Sequence, residues 1–175
     1  YSEYWHKRGY SPDKYYDNHS DVPTLYLGGW YDSYARNTCE SYIKLSKIKK
    51  TDQYLLMGPW THGQYEVTFS GDLDFGNDSQ INFNDLKLSW FDKYMKGMYT
   101  SFSEGEPVRY FTMGGGDGNL KRENPFTDEL IHQGGVWKSS VDWPIPNTSF
   151  TNYYLNSNGK LSVDKPKTTD IEFSS

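Results

Sequence analysis

The sequence has one cysteine, no long apolar run and no excess of positive charge. Cys39 is the single cysteine of the 175 residues, which excludes an intrachain disulfide and any zinc site built on paired cysteines. The mean hydropathy is −0.87, and no stretch approaches the roughly 20 apolar residues that a membrane-spanning helix needs. The formal net charge of −5 argues against a nucleic-acid binder, which usually carries a basic patch. We therefore expect no membrane span, no nucleic-acid partner and no cofactor.

Aromatic residues are abundant, at 18% of the chain. Disordered chains are poor in such residues, which bury large areas when they pack, so this composition predicts a folded protein. The chain begins Tyr1-Ser2-Glu3, without an initiator methionine or a signal-like segment. We expect it to be a segment of something longer.

The first half of the chain alternates between strand and helix signals. Two short apolar runs, residues 22–27 and 54–57, end at Gly28-Gly29 and Gly58-Pro59 and are typical of strands buried on both faces of a parallel sheet. Between them a helix is predicted from Ser33, and a second helix over residues 84–96 is stopped by Gly97. The helical period predicts an apolar side for each: Ala35, Cys39, Tyr42 and Leu45 for the first, and Phe83, Leu86, Trp90, Phe91 and Tyr94 for the second. With a helix between them, the two strands are predicted to be parallel neighbours.

The second half is predicted to be all β. Residues 108–113 have strand composition, and two short runs flank Asn158-Gly159, a strong hairpin signal. We predict an α/β part at residues 1–98, a linker at 99–107 and a β-sandwich part at 108–175.

Asp32 and His62 are the candidate catalytic residues. Each lies a few residues beyond the carboxyl end of a predicted parallel strand, where open α/β sheets collect their catalytic groups. A buried aspartate that accepts a hydrogen bond from one ring nitrogen of a histidine leaves the other nitrogen free to take a proton from a nucleophile. The alternatives are that Asp32 caps the following helix and that His62 is an ordinary packed ring.

Several segments, in order along the chain, resemble the CocE/NonD serine hydrolases. Residues 22–32 resemble the segment that carries the triad acid of that family, and residues 58–63 (Gly-Pro-Trp-Thr-His-Gly) resemble the segment that carries its histidine. Residues 90–97 resemble the next helix, and residues 107–114 and 134–146 resemble parts of its C-terminal jelly roll. The resemblance implies a partial α/β-hydrolase fold followed by the start of a jelly roll. It also implies that Asp32 supports His62 as general base and acid.

The family's nucleophilic serine is missing from this sequence. The resemblance places it on a Gly-x-Ser-x-x-Gly-like turn upstream of the acid, and no Gly-x-Ser-x-Gly occurs in these 175 residues. We therefore expect two members of a triad, no oxyanion hole, and no activity from this chain alone. The expected substrate of the whole protein is a small ester or amide, or a short peptide. The unfilled edge of the sheet also predicts association between copies, and a homo-oligomeric parent is possible.

Two alternatives of a different class stay open. In the first, four aromatic residues line a sugar-binding groove in a non-catalytic module (Trp137, Trp143, Tyr153 and Tyr154), although packing is the favoured interpretation. In the second, the whole protein is a pseudoenzyme without a serine.

The glycine-rich residues 114–118 are interpreted as a turn, because no P-loop pattern follows them. Cys39 is predicted to be a small core residue.

Overall fold

The computed structural model describes residues 2–7, 9–121, 130–156 and 159–166. Its strands and helices are β1 (Thr24–Gly29), α1 (Ala35–Ile48), β2 (Gln53–Gly58), β3 (Phe69–Ser70), β4 (Leu73–Asp74), α2 (Phe83–Lys96), β5 (Val108–Met113), β6 (Leu120–Lys121), β7 (Leu130–His132), β8 (Gly135–Ser140), β9 (Tyr154–Leu155) and β10 (Leu161–Ser162). No helix among these residues is long and apolar enough to cross a membrane.

The main sheet has four strands in the order β1-β2-β5-β8. Strands β1 and β2 are parallel and in register from the pair Thr24 and Gln53 to the pair Gly29 and Gly58, which confirms the predicted parallel neighbours. Strand β1 continues through both glycines, whereas the apolar run predicted that it would end before them. Strand β2 lies inside the sheet, and Leu55 and Met57 are almost completely buried, as the apolar run predicts.

The two long helices contact opposite faces of this sheet. Helix α1 places Tyr42 in a core cluster with Leu55 and Met57, so its predicted apolar side is confirmed. On the other face, Trp90 of α2 contacts Tyr54 of β2, with ring centroids 5.9 Å apart.

The predicted buried side of α2 is wrong at one position. Phe91 was expected to be buried, but 56% of its surface is exposed. Each residue advances a helix by about 100°, so the contact of Trp90 with the sheet turns its neighbour Phe91 toward solvent. The end of the helix is as predicted, because Gly97 adopts the left-handed conformation with φ 68°.

The main sheet includes strands from both sides of the linker predicted at residues 99–107. The expectation was that a separate β part begins at residue 108. Strand β5 pairs in parallel with β2, and β8 pairs antiparallel with β5. The reason is burial: Val108 and Phe111 of β5 are at most 1% exposed, and the edge of a buried strand such as β2 needs a partner for its backbone groups.

The remaining strands form two small sheets. One has the order β3-β4-β7-β6 and so combines chain from both sides of the linker. The other is the antiparallel pair of β9 and β10, which confirms the two predicted strands of a hairpin. Asn158, the first residue of the predicted turn, lies outside the described residues. These short sheets do not by themselves establish a jelly roll.

Candidate active site

The candidate site lies at the carboxyl ends of β1 and β2. Asp32 follows the end of β1, and His62 follows the end of β2. The last residues of the two strands, Gly29 and Gly58, are paired with each other in the sheet. Oδ2 of Asp32 is 2.9 Å from Nδ1 of His62. The structure therefore brings together the two side chains that the sequence singled out.

Asp32 is the buried member of the pair, with a side chain that is 8% exposed. Its Oδ1 accepts a hydrogen bond of 2.9 Å from the backbone N–H of Tyr34. Burial opposes ionisation of the carboxyl group, but the hydrogen bonds from Tyr34 and His62 outweigh it and hold the pKa of Asp32 below its ordinary value. Asp32 is thus a carboxylate whose two oxygens both accept.

His62 is the exposed member, with 74% of its side chain accessible. Since an ionised carboxylate only accepts hydrogen bonds, Nδ1 of His62 must carry the hydrogen and donate it to Asp32. In the neutral ring this leaves Nε2 without a hydrogen and able to take a proton. Such a pair can act chemically as a general base with an acid that orients it.

The loops that carry the pair are locked together by Trp60, which is completely buried. The carbonyl of Trp60 accepts the backbone N–H of Tyr31 at 3.1 Å, which ties the two loops to each other. A Cβ on Gly29 would lie 2.0 Å from that carbonyl oxygen, and a Cβ on Gly58 would lie 2.4 Å from the indole ring. Glycine is therefore needed at both strand ends for the loops to approach.

Sequence reasoning took these glycines only as strand ends and missed Trp60 and Tyr34. The available signal was that both predicted strands end in glycine directly before the candidate residues. Glycine at such a point also marks a close approach of backbone.

The alternative that Asp32 caps helix α1 is partly correct, and it is compatible with the hydrogen bond between Asp32 and His62. Helix α1 begins after Tyr34 without a side-chain cap, so neither Asp32 nor Ser33 is its N-cap residue. Asp32 nevertheless accepts the Tyr34 N–H through one oxygen while the other oxygen accepts from His62. The carboxylate makes both contacts at once.

The two tryptophans of the sugar-groove alternative are packed into the protein. Trp137 lies 5.6 Å from Trp60 and 5.4 Å from Phe111, ring centroid to ring centroid, and Trp143 lies 5.8 Å from Trp30. Tyr153 is 63% exposed on the loop before β9. The tryptophans support the packing interpretation.

Cys39 packs against the core beside Tyr42, as predicted. Burial raises the pKa of its thiol to about 11. Among the described residues, no group of three or more histidine, cysteine, aspartate and glutamate side chains is placed to hold a metal ion.

The fold is that of an α/β protein similar to known hydrolases. The family model for X-Pro dipeptidyl-peptidase (S15 family) matches residues 1–64, a range that includes both Asp32 and His62. The chain is 25% identical over 145 residues to the cocaine esterase of Rhodococcus sp. (strain MB1 Bresler). This alignment covers 81% of the chain and 21% of the esterase, so the chain spans about a fifth of the length of that relative.

Two solved structures share the fold. A crystal structure of an aminopeptidase from a marine sediment archaeon (Thaumarchaeota archaeon) matches with a TM-score of 0.64 at 21% identity, covering 95% of this chain and 24% of that one. A CocE/NonD family hydrolase from Staphylococcus aureus matches with a TM-score of 0.53 at 19% identity, covering 83% and 21%. The resemblance of the chain to the CocE/NonD hydrolases, first indicated by its motifs, is thereby confirmed.

Proposed function

We propose that this chain supplies the acid and the histidine of a Ser-His-Asp triad in a hydrolase that cleaves ester or amide bonds, and that the nucleophilic serine lies outside these 175 residues. The observation that carries the proposal is the 2.9 Å hydrogen bond between a buried carboxylate and an imidazole whose side chain is 74% exposed. The similarity to an esterase and to peptidases supports the same class of reaction.

In this reaction His62 moves the protons. Its Nε2 takes the proton of the serine hydroxyl as the oxygen attacks the acyl carbon, and then gives that proton to the departing alcohol or amine. A water molecule next attacks the acyl-serine, passes a proton to Nε2, and the proton returns to the serine as the acid product leaves. Asp32 keeps the imidazole in the correct tautomer and stabilises the imidazolium that forms twice in each cycle.

The names of the relatives support the proposed substrate class. One relative is an esterase, and the matching family model and one of the related structures are peptidases. Their common chemistry is an acyl carbon bonded to oxygen or nitrogen, so we propose a small ester or amide, or a short peptide. We further propose that the residues beyond the main sheet, including the hairpin of β9 and β10, begin a jelly-roll-like domain.

The test is covalent labelling of the complete hydrolase that contains this chain. Intact-mass analysis after treatment with a fluorophosphonate should show a single adduct, which His62→Ala abolishes. His19→Ala is the matched control, because none of the described hydrogen bonds of His19 involves Asp32 or His62; it should leave labelling unchanged. Asp32→Asn should reduce turnover by orders of magnitude, as the equivalent change in chymotrypsin does by about 10⁴-fold.

The 175-residue chain by itself should not take the label. It should also hydrolyse a p-nitrophenyl ester no faster than the same chain does after unfolding, when its histidine side chains react without any fixed geometry. An adduct on the isolated chain that depends on His62 would show that the nucleophile lies within these residues. A folded complete protein that takes no adduct would refute the triad.

A further inference from the structure

Tyr34 touches both members of the Asp32 and His62 pair. Its backbone N–H donates to Oδ1 of Asp32 at 2.9 Å. Its ring centroid lies 5.4 Å from the centroid of the His62 ring, with the two planes tilted by 59°. One residue is thus bonded to the acid through its backbone and in contact with the base through its side chain.

The tyrosine is itself held in place at the start of α1. Its carbonyl oxygen accepts the backbone N–H of Thr38 at 2.9 Å and the hydroxyl of the same residue at 3.1 Å. Yet 59% of Tyr34 is exposed, so burial in the core does not account for an aromatic side chain here.

His62 needs such a support. The imidazole is 74% exposed, and one hydrogen bond at Nδ1 fixes the direction of that nitrogen but leaves the ring free to swing about the bond. Since Nε2 is the reacting atom, any swing moves the proton acceptor away from the nucleophile, and small misplacements are costly in catalysis. A ring packed against the imidazole restricts this motion.

We propose that Tyr34 is a positioning residue for His62: its ring confines the imidazole to the orientation that Asp32 selects. The aromatic ring also lies within the distance of about 6 Å at which a ring attracts a neighbouring cation, so it favours the imidazolium formed during the reaction. The catalytic meaning of this proposal rests on the proposed function, whereas the orientation of His62 is measurable without any reaction.

The first experiment measures that orientation by NMR in the complete hydrolase that contains this chain, with isotopically labelled histidine. Wild type and Tyr34→Phe should show one χ1 rotamer of His62, from its three-bond couplings, and cross-relaxation between the two aromatic rings. Tyr34→Leu keeps the backbone N–H to Asp32 and should show averaged χ1 couplings. Tyr31→Leu is the matched control, because Tyr31 is also partly exposed but contacts Phe75; it should behave as wild type.

The second experiment measures kinetics in the complete hydrolase with a p-nitrophenyl ester. Tyr34→Leu should lower kcat about two- to fivefold, the range expected from an exposed cation–aromatic contact, while KM changes little, and Tyr34→Phe should restore kcat. A single unchanged χ1 rotamer in Tyr34→Leu would overturn the proposal whatever the activity. A raised KM with unchanged kcat would also overturn it, since Tyr34 would then bind substrate. If Tyr34→Leu shows averaged couplings but the wild-type hydrolase takes no fluorophosphonate label, the positioning role of Tyr34 stands and the proposed triad is refuted.

Discussion

Asp32 and His62 are joined by a 2.9 Å hydrogen bond although one side chain is buried and the other is exposed. The burial makes Asp32 a fixed acceptor, and the exposure leaves Nε2 of His62 available to a reacting group. Asp32 lies in the turn that leads into α1, and His62 lies in the turn that follows β2. Both loops are held by the backbone of Trp60 and Tyr31.

The first prediction concerns the pH dependence of folding. The folded pKa of Asp32 is lowered, so its ionisation stabilises the fold above its ordinary pKa of about 3.9 and this stabilisation is lost as the pH falls through the lowered value. Asp32→Asn keeps the shape and an oxygen acceptor but cannot ionise. The stability difference between wild type and Asp32→Asn, from urea unfolding, should be full above about pH 5 and should vanish in more acidic solution. A difference that stays constant down to acid pH would contradict the assignment.

The second prediction concerns the close approach at the ends of β1 and β2. Gly29→Ala should lower the free energy of unfolding by about 1–3 kcal/mol or more, because its Cβ would overlap the carbonyl of Trp60. Gly115→Ala is the control, since nothing lies within 4 Å of a Cβ at that position, and its effect should be small. Thermal unfolding of the two variants checks this. Equal melting temperatures would show that the loops can separate without cost.

The third prediction concerns the contacts that tie α2 to β2. Nζ of Lys93 donates to the Tyr54 hydroxyl at 2.9 Å, to the Phe102 carbonyl at 2.6 Å and to Oδ2 of Asp52 at 3.1 Å. Its side chain is only 19% exposed, so Lys93→Met should cost about 1–3 kcal/mol by removing three hydrogen bonds from a charged donor at once.

Lys96→Met on the same helix is the matched control. Within the described part of the chain, Nζ of Lys96 pairs with Oδ1 of Asp92 at 2.6 Å, and the Lys96 side chain is 62% exposed. Such surface pairs contribute at most about 1 kcal/mol. Denaturant unfolding should therefore separate the two variants clearly. If both variants lose the same stability, the Lys93 contacts do not hold the helix to the sheet.

The fourth prediction concerns association through β1, which ends the order of the main sheet among the described residues. The backbone N–H groups of Thr24 and Trp30 bond to the chain around β2, so by alternation the N–H of Leu25 points to the free edge. Proline is tolerated at such an edge position and blocks pairing with another strand.

Light scattering after gel filtration is the measurement. The wild-type chain should associate, and Leu25→Pro should shift it toward the monomer, whereas Leu25→Ala removes the same apolar side chain, keeps the N–H and should still associate. A monomeric wild type with a sharp and reversible thermal transition would count against association through this edge.

The strands and helices near the site could be predicted because their signals are local. The apolar runs of β1 and β2 and the period of α1 are contained in short windows, and the parallel pairing then follows from the helix between them. That pairing places the loops of Asp32 and His62 at the same edge of the sheet, and the two side chains do meet there.

The features that could not be predicted depend on contacts distant in the chain. Strand β5 has the same composition whether it begins a new domain or fills the edge of β2, and only the burial of Val108 against the core distinguishes the two. The contact of Tyr34 with His62 is likewise invisible in the sequence, since an aromatic residue at a helix start has no characteristic spacing to a histidine in another loop. The exposure of Phe91 depends on which side of α2 meets Tyr54.

The acid and the histidine are separated by a single strand–helix–strand crossing, from β1 through α1 to β2. The two residues are therefore encoded close together. With the nucleophile upstream, as proposed, a break in the gene ahead of Thr24 would separate the segment with the nucleophile from the segment with Asp32 and His62. Neither part would then be active alone. A two-piece version of the hydrolase would have to bring the two parts together, and the free edge of β1 is where the main sheet can be extended.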